Sequence, residues 1–236
     1  MTSDEALRAH REAAAAASAG TSDDVYPSLE RVIATHALAG DVLDFGAGVG
    51  NLARALHGLG TFRSVTAVDI MPRPADLPEA IRWSAHDLND RTSFPDGAFD
   101  VVVSAEVIEH LENPRSVARE WFRLLKPGGR VLISTPNNES WRSLVALVVR
   151  GHFVLFGDES YPAHITALLR KDITRVLAEA GFERMEFSFT NLGGVPGRPT
   201  FRWQALSPAL FRGLRFSDNV LALARKPGVS AAGTAP

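Results

Sequence analysis

The stretch of residues 42–51, VLDFGAGVGN, constrains the fold of this chain more than any other part of its sequence. Apolar residues around Asp44 lead into glycines at positions 46, 48 and 50. This pattern predicts a buried parallel strand that runs into a tight turn, with a helix beginning near Asn51. Glycine is needed in such a turn because the backbone bends sharply and a ligand approaches it without meeting a Cβ atom.

The same stretch discriminates between classes of ligand. The dinucleotide fingerprint G-x-G-x-x-G requires Gly or Ala at position 51, where this chain has Asn51. Asp44 would also lie where a pyrophosphate passes, and its charge would repel the phosphates. A NAD-dependent oxidoreductase is therefore disfavoured, and the acid favours a ligand with a cationic or hydroxyl-rich end. The alternative is an ordinary strand-to-helix turn that binds no ligand.

Further strands are predicted at intervals after the glycine turn. They lie at residues 65–70, 83–88, 99–104 and 130–135. The first of them ends in Asp69, about twenty residues after the glycines, which is the spacing of an acid that binds ribose hydroxyls. Because the strands alternate with helical segments, the sequence predicts an α/β fold with a doubly wound, mostly parallel sheet.

In order and spacing these motifs resemble those of the class I S-adenosylmethionine-dependent methyltransferases, over nearly the whole chain. The resemblance implies a seven-stranded Rossmann-like sheet flanked by helices, with a helical lid insertion. It also implies an S-adenosylmethionine site in which Asp69 binds the ribose and Asp87 lies near the adenine. The cofactor-binding residues implied in this way are Asp44, Gly46, Ala47, Gly48, Gly50, Asp69, Ile70, Asp87, Leu88 and Ser104.

We predict a single methyltransferase domain over residues 1–227, with N-terminal helices within 1–39 and a lid insertion at 137–170. The helix predicted over residues 6–19 is either an arm over the cofactor site or a frayed terminus. Residues 228–236 have the composition of a flexible tail.

Composition excludes several classes of function. The 236 residues carry a net charge of −2, which disfavours nucleic acid as a partner, and no cysteine, which excludes disulfides and thiolate chemistry. No apolar run reaches the roughly eighteen residues of a membrane span. We therefore expect a cytoplasmic enzyme, monomeric or homodimeric, that acts on a small molecule, with peripheral membrane contact left open.

The chemistry is expected where the fourth strand ends, since ligands of open α/β sheets bind at the carboxyl ends of the strands. The chain has Glu-x-x-Glu-His at residues 106–110, and a second histidine much later, His164. This arrangement is similar to that of the ubiquinone-pathway O-methyltransferases and the small-RNA 2′-O-methyltransferases. The resemblance implies that Mg²⁺, Mn²⁺ or Zn²⁺ is held by Glu106, Glu109, His110 and His164, although the residues around His164 do not reproduce the second motif of the RNA enzymes.

The sequence leaves two other interpretations of this motif open. Without a metal, His110 is a general base near neutral pH, and Glu106 contacts the cofactor or orients the histidine. Alternatively, Glu109 only caps a helix or faces water. The predicted catalytic residues are His110 and Glu106.

Two later stretches bear on the substrate. Residues 141–156 are mostly apolar and fall after the fifth strand, where they form a lid, a membrane contact or a dimer contact. Residues 197–216 interleave four arginines with aromatic side chains. That pattern is typical either of a phosphate or nucleotide site or of an ordinary amphipathic segment.

Together these features predict an S-adenosylmethionine-dependent methyltransferase that methylates an oxygen of a small hydroxylated metabolite or a sugar, with or without a metal. The alternatives are an RNA 2′-O-methyltransferase, an N- or C-methyltransferase of a small molecule, and a non-catalytic cofactor-binding protein. The sequence identifies neither the acceptor molecule nor the acceptor atom.

Overall fold

A computed structural model describes residues 11–12 and 25–228 of the chain. Arg11 and Glu12 are helical, and the rest of the helix predicted over residues 6–19 lies outside the described residues. The predicted tail lies outside them too, apart from Gly228.

The described residues form an alternating series of helices and strands. The helices are α1 (Tyr26–Thr35), α2 (Asn51–Gly58), α3 (Pro114–Leu124), α4 (Trp141–Arg150) and α5 (Arg170–Glu179). The strands are β1 (Gly40–Phe45), β2 (Phe62–Asp69), β3 (Arg82–Ala85), β4 (Phe99–Ala105), β5 (Leu125–Pro136), β6 (Glu183–Phe189), β7 (Gly194–Val195), β8 (Arg198–Arg202) and β9 (Asn219–Arg225). Short 3₁₀ turns lie at Ile108–His110, Asp158–Ser160, Trp203–Ala205 and Leu214–Phe216.

Seven strands form one sheet in the order β3-β2-β1-β4-β5-β9-β6. The strands β1 to β5 pair in parallel, and β9 runs antiparallel to both β5 and β6. This confirms the predicted doubly wound, mostly parallel sheet. The strands β7 and β8 form a separate antiparallel pair.

Helices cover both faces of the sheet, and each face has its own apolar core. On one face α1 and α2 bury Leu29 and Leu56 against the sheet. On the other, α3 and α5 bury Trp121 and Leu177, and the ring of Trp121 meets Phe45 edge-on at 5.8 Å. Such packing on both faces is the arrangement that a mostly parallel sheet requires.

The glycine turn between β1 and α2 has the geometry that its sequence predicts. Gly46 has φ +89°, and a Cβ there would collide with the side chain of Val107. Gly50, with φ +81°, caps α2 in the left-handed region. The turn is tied to β2, since the backbone N–H groups of Gly46 and Ala47 donate to the carbonyl of Val68 at 2.9 and 3.1 Å.

Two stretches differ from their predicted form. Strand β5 begins at Leu125 rather than near residue 130, because a register shift between Phe99 and Val101 lets the pairing continue past the glycines. The arginine-rich segment at 197–216 is the β8 strand with two short turns, so it is not a regular amphipathic element. In the described part of the chain, no helix combines the length and the apolar character that crossing a bilayer requires.

Candidate active site

A cavity of about 320 Å³ opens at the carboxyl ends of β1, β2, β3 and β4. Most of the predicted cofactor residues lie in its wall. They are Gly46, Ala47, Gly48, Asp69, Ile70, Asp87 and Leu88. The predicted catalytic residues Glu106 and His110 line the same cavity, so the two predicted sites are one continuous space.

The carboxylate of Asp69 is fixed by the backbone at the end of β2. Its Oδ2 accepts a hydrogen bond from the N–H of Gly48 at 2.8 Å, and its Oδ1 accepts one from the N–H of Met71 at 2.9 Å. Burial raises the pKa of Asp69, and these backbone hydrogen bonds offset part of that rise. The glycine turn and the acid are therefore one unit, with an acceptor group facing the cavity.

Asp87 lies just after β3 and is clamped from two sides. Its Oδ1 accepts from the N–H of Asn89 at 2.9 Å, and its Oδ2 accepts from Nη1 of Arg11 at 2.7 Å. Arg11 also donates to Oε1 of Glu112 from Nε at 3.0 Å and from Nη2 at 2.8 Å. Burial raises the pKa of Asp87, but its hydrogen bonds from Asn89 and Arg11 prevail and the pKa falls below its ordinary value.

Arg11 is thus a cavity residue that the sequence did not identify. It lies in the helix that was predicted as either an arm or a frayed end. Its contacts with Asp87 and Glu112 span 76 and 101 residues, and no local motif encodes contacts at that separation. Other wall residues that the sequence did not identify are Tyr26, Asn89, Glu112, Tyr161 and Ile165.

Three of the predicted cofactor residues lie outside the cavity wall. Ser104 is buried and donates its hydroxyl to the carbonyl of Phe45 at 2.9 Å, so it joins β4 to β1. Gly50 acts as the cap of α2. Asp44 is fully buried on the sheet face that carries α2, because alternation along β1 puts it on the side of Val42 rather than at the mouth of the turn.

The burial of Asp44 changes its charge. Removal from water, together with the nearby charge of Asp69, raises the pKa of Asp44 to about 8, while the N–H of Ala53 lowers it slightly. Within the described residues, neither carboxylate oxygen has a partner at full hydrogen-bond geometry. Asp44 is therefore mostly protonated at neutral pH, and it lies outside the wall of the cavity in which it was predicted to bind the cofactor.

Glu106 follows β4 with a strained backbone. Its φ of +56° is in the left-handed region, which costs a non-glycine residue about 1 kcal/mol or more. Its N–H donates to the carbonyl of Ser134 at 3.1 Å, and its Oε2 accepts from Nδ2 of Asn219 at 2.7 Å. Its Oε1 is shielded from solvent and has no partner within the described chain. Burial raises the pKa of Glu106.

Glu109 lies one turn further and is completely buried. Its Oε2 accepts from the hydroxyl of Thr135 at 3.0 Å, and its Oε1, like that of Glu106, has no partner among the described residues. Burial, and then the charge of Glu106, raise the pKa of Glu109 well above its ordinary value. Two neighbouring buried carboxyl groups are rarely both ionised, because their negative charges repel each other. The pair therefore favours binding of a proton or a cation.

The two histidines are oriented by backbone carbonyls. Nδ1 of His110 lies 2.6 Å from the carbonyl oxygen of Ala163, and Nδ1 of His164 lies 2.8 Å from that of Leu155. A carbonyl only accepts, so each neutral ring carries its proton on Nδ1 and presents a lone pair on Nε2. Burial lowers the pKa of His110 to about 4, and the neighbouring His164 lowers it further against the two carbonyls that raise it.

Three of the four predicted metal ligands converge. Glu109, His110 and His164 each offer a ligand atom, and these atoms lie within 4.8 Å of one another. A carboxylate with an orphaned buried oxygen and two neutral imidazoles form a donor set that fits Mn²⁺ or Zn²⁺ best and Mg²⁺ less well. Glu106, the fourth predicted ligand, does not belong to this convergent set, and its Oε2 accepts from Asn219.

The segment after β5 contributes to the cavity in a way that differs from the prediction. Tyr161, Pro162 and Ile165 lie in the wall, and the N–H of Ile165 donates to the carbonyl of Glu109 at 3.0 Å. The helix α4 takes no part in the wall and packs instead against β7 and the 214–216 turn. The prediction of a helical lid is therefore not confirmed.

Comparison with known proteins agrees with this geometry. A methyltransferase domain family matches residues 10–186. The chain is 31% identical over 183 residues to a ubiquinone biosynthesis O-methyltransferase of Xanthomonas oryzae pv. oryzae, covering 68% of this chain and 76% of that protein. It is 29% identical over 175 residues to the protein of the same name in Thiobacillus denitrificans, covering 70% and 75%.

The fold also matches a crystal structure of a SAM-dependent methyltransferase from Archaeoglobus fulgidus. The TM-score is 0.60 at 20% identity, covering 86% of this chain and 93% of that one. The α/β sheet, the glycine turn and the acids at successive strand ends agree with the family and the relatives that match. The chain belongs to the class I S-adenosylmethionine-dependent methyltransferases, and S-adenosylmethionine is its cofactor.

Proposed function

We propose that this enzyme transfers the methyl group of S-adenosylmethionine to a hydroxyl oxygen of a small molecule, a hydroxylated metabolite or a sugar. One observation carries the proposal: His110, with its lone pair on Nε2, lies in the wall of the cavity that the glycine turn and Asp69 also line. A proton acceptor and the cofactor-binding turn thus face one space, which is what transfer to a hydroxyl requires. The names of the relatives, which are O-methyltransferases, support the same acceptor atom.

Each cofactor-binding residue contacts a different part of S-adenosylmethionine. The carboxylate of Asp69 accepts hydrogen bonds from the ribose hydroxyls, and Asp87 lies beside the adenine. The turn at residues 46–48 lies along the methionine part, where the absence of Cβ atoms at two glycines lets the ligand approach. These residues would hold the cofactor in the cavity that His110 also lines.

The transfer itself is an in-line displacement. The acceptor oxygen forms a bond to the methyl carbon while the carbon–sulfur bond breaks, and S-adenosylhomocysteine leaves with the electron pair on sulfur. The hydroxyl proton leaves the acceptor, and Nε2 of His110 is positioned to accept it. Glu106 accepts no proton in this scheme; it lines the cavity with His110 and contacts the cofactor or orients the imidazole.

The basicity of His110 bears on whether a metal is needed. A ring whose pKa is about 4 is neutral at pH 7 but binds a proton weakly. A hydroxyl with an ordinary pKa is therefore deprotonated inefficiently by this residue alone. Either the acceptor is an acidic hydroxyl, as in a catechol, or its pKa is lowered by another group.

Glu109, His110 and His164 would hold a divalent cation. When bound, such a cation supplies Lewis-acid chemistry that lowers the pKa of a coordinated hydroxyl. His110 cannot use the same lone pair on Nε2 as a metal ligand and as a base. The two interpretations are therefore exclusive, and metal binding decides between them.

The acceptor atom is tested by product analysis. The purified enzyme is incubated with S-adenosylmethionine and a panel of catechols, vicinal diols, sugars, single alcohols and amines, and the methylated atom of each product is identified by NMR. The proposal predicts an O-methyl product from a hydroxylated compound. Products methylated only on nitrogen or carbon would overturn the acceptor atom while leaving the methyltransferase activity in place.

A further inference from the structure

The polar groups of the cavity follow the order of the strands that carry them. The sheet order β3-β2-β1-β4 brings Asp87, Asp69, the glycine turn and Glu106 to successive strand ends along one mouth. With the adenine beside Asp87 and the ribose at Asp69, the methionine part passes along the glycine turn toward β4. The end of the cofactor that carries the α-ammonium group therefore reaches the residues that follow β4.

The residues at the end of β4 lie against the glycine turn. A Cβ atom on Gly46 would collide with the side chain of Val107, the residue next to Glu106. Ala105, Glu106 and Val107 lie in the same cavity wall as residues 46–49. A ligand that follows the turn therefore passes close to Glu106.

In a cavity that excludes water, an ammonium group is best bound by an acceptor with negative charge. Four carboxylic acids lie in the described part of the wall, namely Asp69, Asp87, Glu106 and Glu112. Asp87 and Glu112 are both paired with Arg11. Both oxygens of Asp69 accept backbone hydrogen bonds, and its carboxylate is assigned to the ribose. Glu106 is the remaining acid that can pair with a cation.

The carboxylate of Glu106 lacks one hydrogen-bond partner. Its Oε2 accepts from Asn219, whereas its Oε1 is shielded from solvent and unpaired among the described residues. The last side-chain torsion of glutamate has a broad preference, so the carboxylate turns toward a donor in the cavity at little cost. Because a shielded acceptor without a donor is unfavourable, a bound ammonium group would complete the hydrogen bonding of this side chain.

The imidazole of His110 does not depend on this carboxylate for its orientation. Its Nδ1 lies 2.6 Å from the carbonyl oxygen of Ala163, and the backbone carbonyl of Glu106 lies near the same ring. The strained backbone of Glu106 is held through its N–H by the carbonyl and hydroxyl oxygens of Ser134, each at 3.1 Å. Such strain is typical of residues that the fold holds in place for ligand binding.

We infer that Glu106 binds the α-ammonium group of S-adenosylmethionine. The inference rests on the proposed placement of the cofactor, with the ribose at Asp69 and the methionine part along the glycine turn. Asp44, the acid that the sequence puts beside the turn, lies outside the wall, and Glu106 supplies the carboxylate there instead. Glu106 is also outside the convergent set of Glu109, His110 and His164, so the ammonium group would not compete with a cation bound by that set.

Calorimetric titration with three ligands tests the inference on the full chain. S-adenosylhomocysteine carries the ammonium group, its deamino analogue lacks only that group, and 5′-methylthioadenosine lacks the whole amino-acid part. We expect the wild type to bind S-adenosylhomocysteine at least about tenfold more tightly than the deamino analogue, since the analogue loses a charge-assisted hydrogen bond. In Glu106→Gln this ratio is expected to fall close to one. Unchanged affinity for 5′-methylthioadenosine would show that the variant is folded.

Glu112→Gln is the matched control, because it neutralises another acid of the same wall, beside Asp87. It is expected to weaken S-adenosylhomocysteine and the deamino analogue equally and to leave their ratio unchanged. Asn219→Ala keeps the negative charge of Glu106 and is therefore expected to preserve most of the ratio.

A wild-type ratio in folded Glu106→Gln would overturn the inference, and so would equal binding of the two ligands by the wild type. Asp69→Asn is expected to weaken all three ligands, because all three carry the ribose. If it weakens none of them, the proposed placement of the cofactor is wrong and the inference fails with it. If it weakens all three while Glu106→Gln keeps the ratio, the inference alone fails. These measurements need no methyl acceptor, so they are independent of the proposed acceptor atom.

Discussion

Asn219, the first residue of β9, donates its Nδ2 to Oε2 of Glu106 at 2.7 Å, across the width of β5. The contact joins the antiparallel strand of the sheet to the residue that lines the cavity after β4. Because Glu106 has an unfavourable backbone and a shielded carboxylate, its orientation depends on this donor and on Ser134. Asn219 is therefore a positioning residue for the site.

Removal of this donor is expected to reduce turnover rather than cofactor affinity. We predict that Asn219→Ala lowers kcat by about tenfold to a hundredfold, since an unpaired buried carboxylate costs about 1–3 kcal/mol, and leaves the affinity for S-adenosylhomocysteine little changed. Asn219→Asp adds a third acid beside Glu106 and Glu109 and is expected to shift the acid limb of the pH–rate profile upward. Steady-state kinetics over pH measures both effects. An unaltered kcat in both folded variants would show that turnover does not depend on the hydrogen bond from Asn219 to Glu106.

The buried carboxyl of Asp44 is expected to make the stability of the protein pH-dependent. In the unfolded chain it ionises above its ordinary pKa of 3.8, whereas in the folded chain it keeps its proton up to about pH 8. Between these values the folded state binds more protons, so its contribution to the free energy of unfolding falls as pH rises and levels off above about pH 8.

Asp44→Asn removes this titration. We predict that the variant is more stable than the wild type at pH 8 by roughly a few kcal/mol, and that the difference shrinks toward pH 4. Urea unfolding of both proteins from pH 5 to pH 8 measures the difference. Asp76→Asn, at an exposed position after β2, is the control and is expected to show no such trend. If the difference in the free energy of unfolding between Asp44→Asn and the wild type does not vary with pH, Asp44 is not a buried carboxyl that keeps its proton in the folded state.

The ion pairs of Arg11 at the cavity mouth are expected to slow the release of ligand. We predict that Arg11→Gln raises the dissociation rate of S-adenosylhomocysteine about fivefold, since a partly buried pair contributes about 1 kcal/mol. Stopped-flow displacement measures this rate. Glu112→Gln is expected to act in the same direction and non-additively with Arg11→Gln, whereas Arg91→Gln on the surface is expected to have no effect. Additive effects of the two substitutions on the dissociation rate would show that Arg11 and Glu112 act independently of each other, which would contradict this prediction.

Metal binding is expected to depend on the buried carboxylate of Glu109. If the convergent donors hold a cation, calorimetric titration of Zn²⁺ or Mn²⁺ into the protein loaded with S-adenosylhomocysteine shows one site. We predict that Glu109→Gln weakens that site at least about tenfold, because the variant loses the anionic ligand, and that Glu79→Gln on the surface does not. Tight binding that survives Glu109→Gln would assign the metal elsewhere.

The sequence was sufficient for those parts of the site that local pattern encodes. The glycine turn and Asp69 follow from strand, turn and spacing, Asp87 follows from the resemblance to the methyltransferase family, and all of them lie in one cavity wall. Glu106 and His110 were found because their motif follows the end of a strand. The doubly wound, mostly parallel sheet follows from the alternation of strands and helices, and its seven strands were implied by the family resemblance.

The parts that the sequence did not reveal depend on distant contacts or on which way a side chain faces. Asn219 and Arg11 act on residues more than 70 positions away, and neither lies in a local motif. Asp44 is in the expected strand, but alternation directs it into the core behind the turn. The apolar stretch that includes α4 was expected to cover the site, whereas its large side chains face outward.

The central claim, transfer of a methyl group with His110 at the acceptor, is tested most directly by one paired measurement. Single-turnover methyl transfer from S-adenosylmethionine to the best acceptor, and the affinity for S-adenosylhomocysteine, are measured for the wild type, His110→Ala and the control His57→Ala on the exposed end of α2. The account predicts a rate about a hundredfold lower or more in His110→Ala alone, at little-changed affinity. Wild-type transfer by His110→Ala would contradict it.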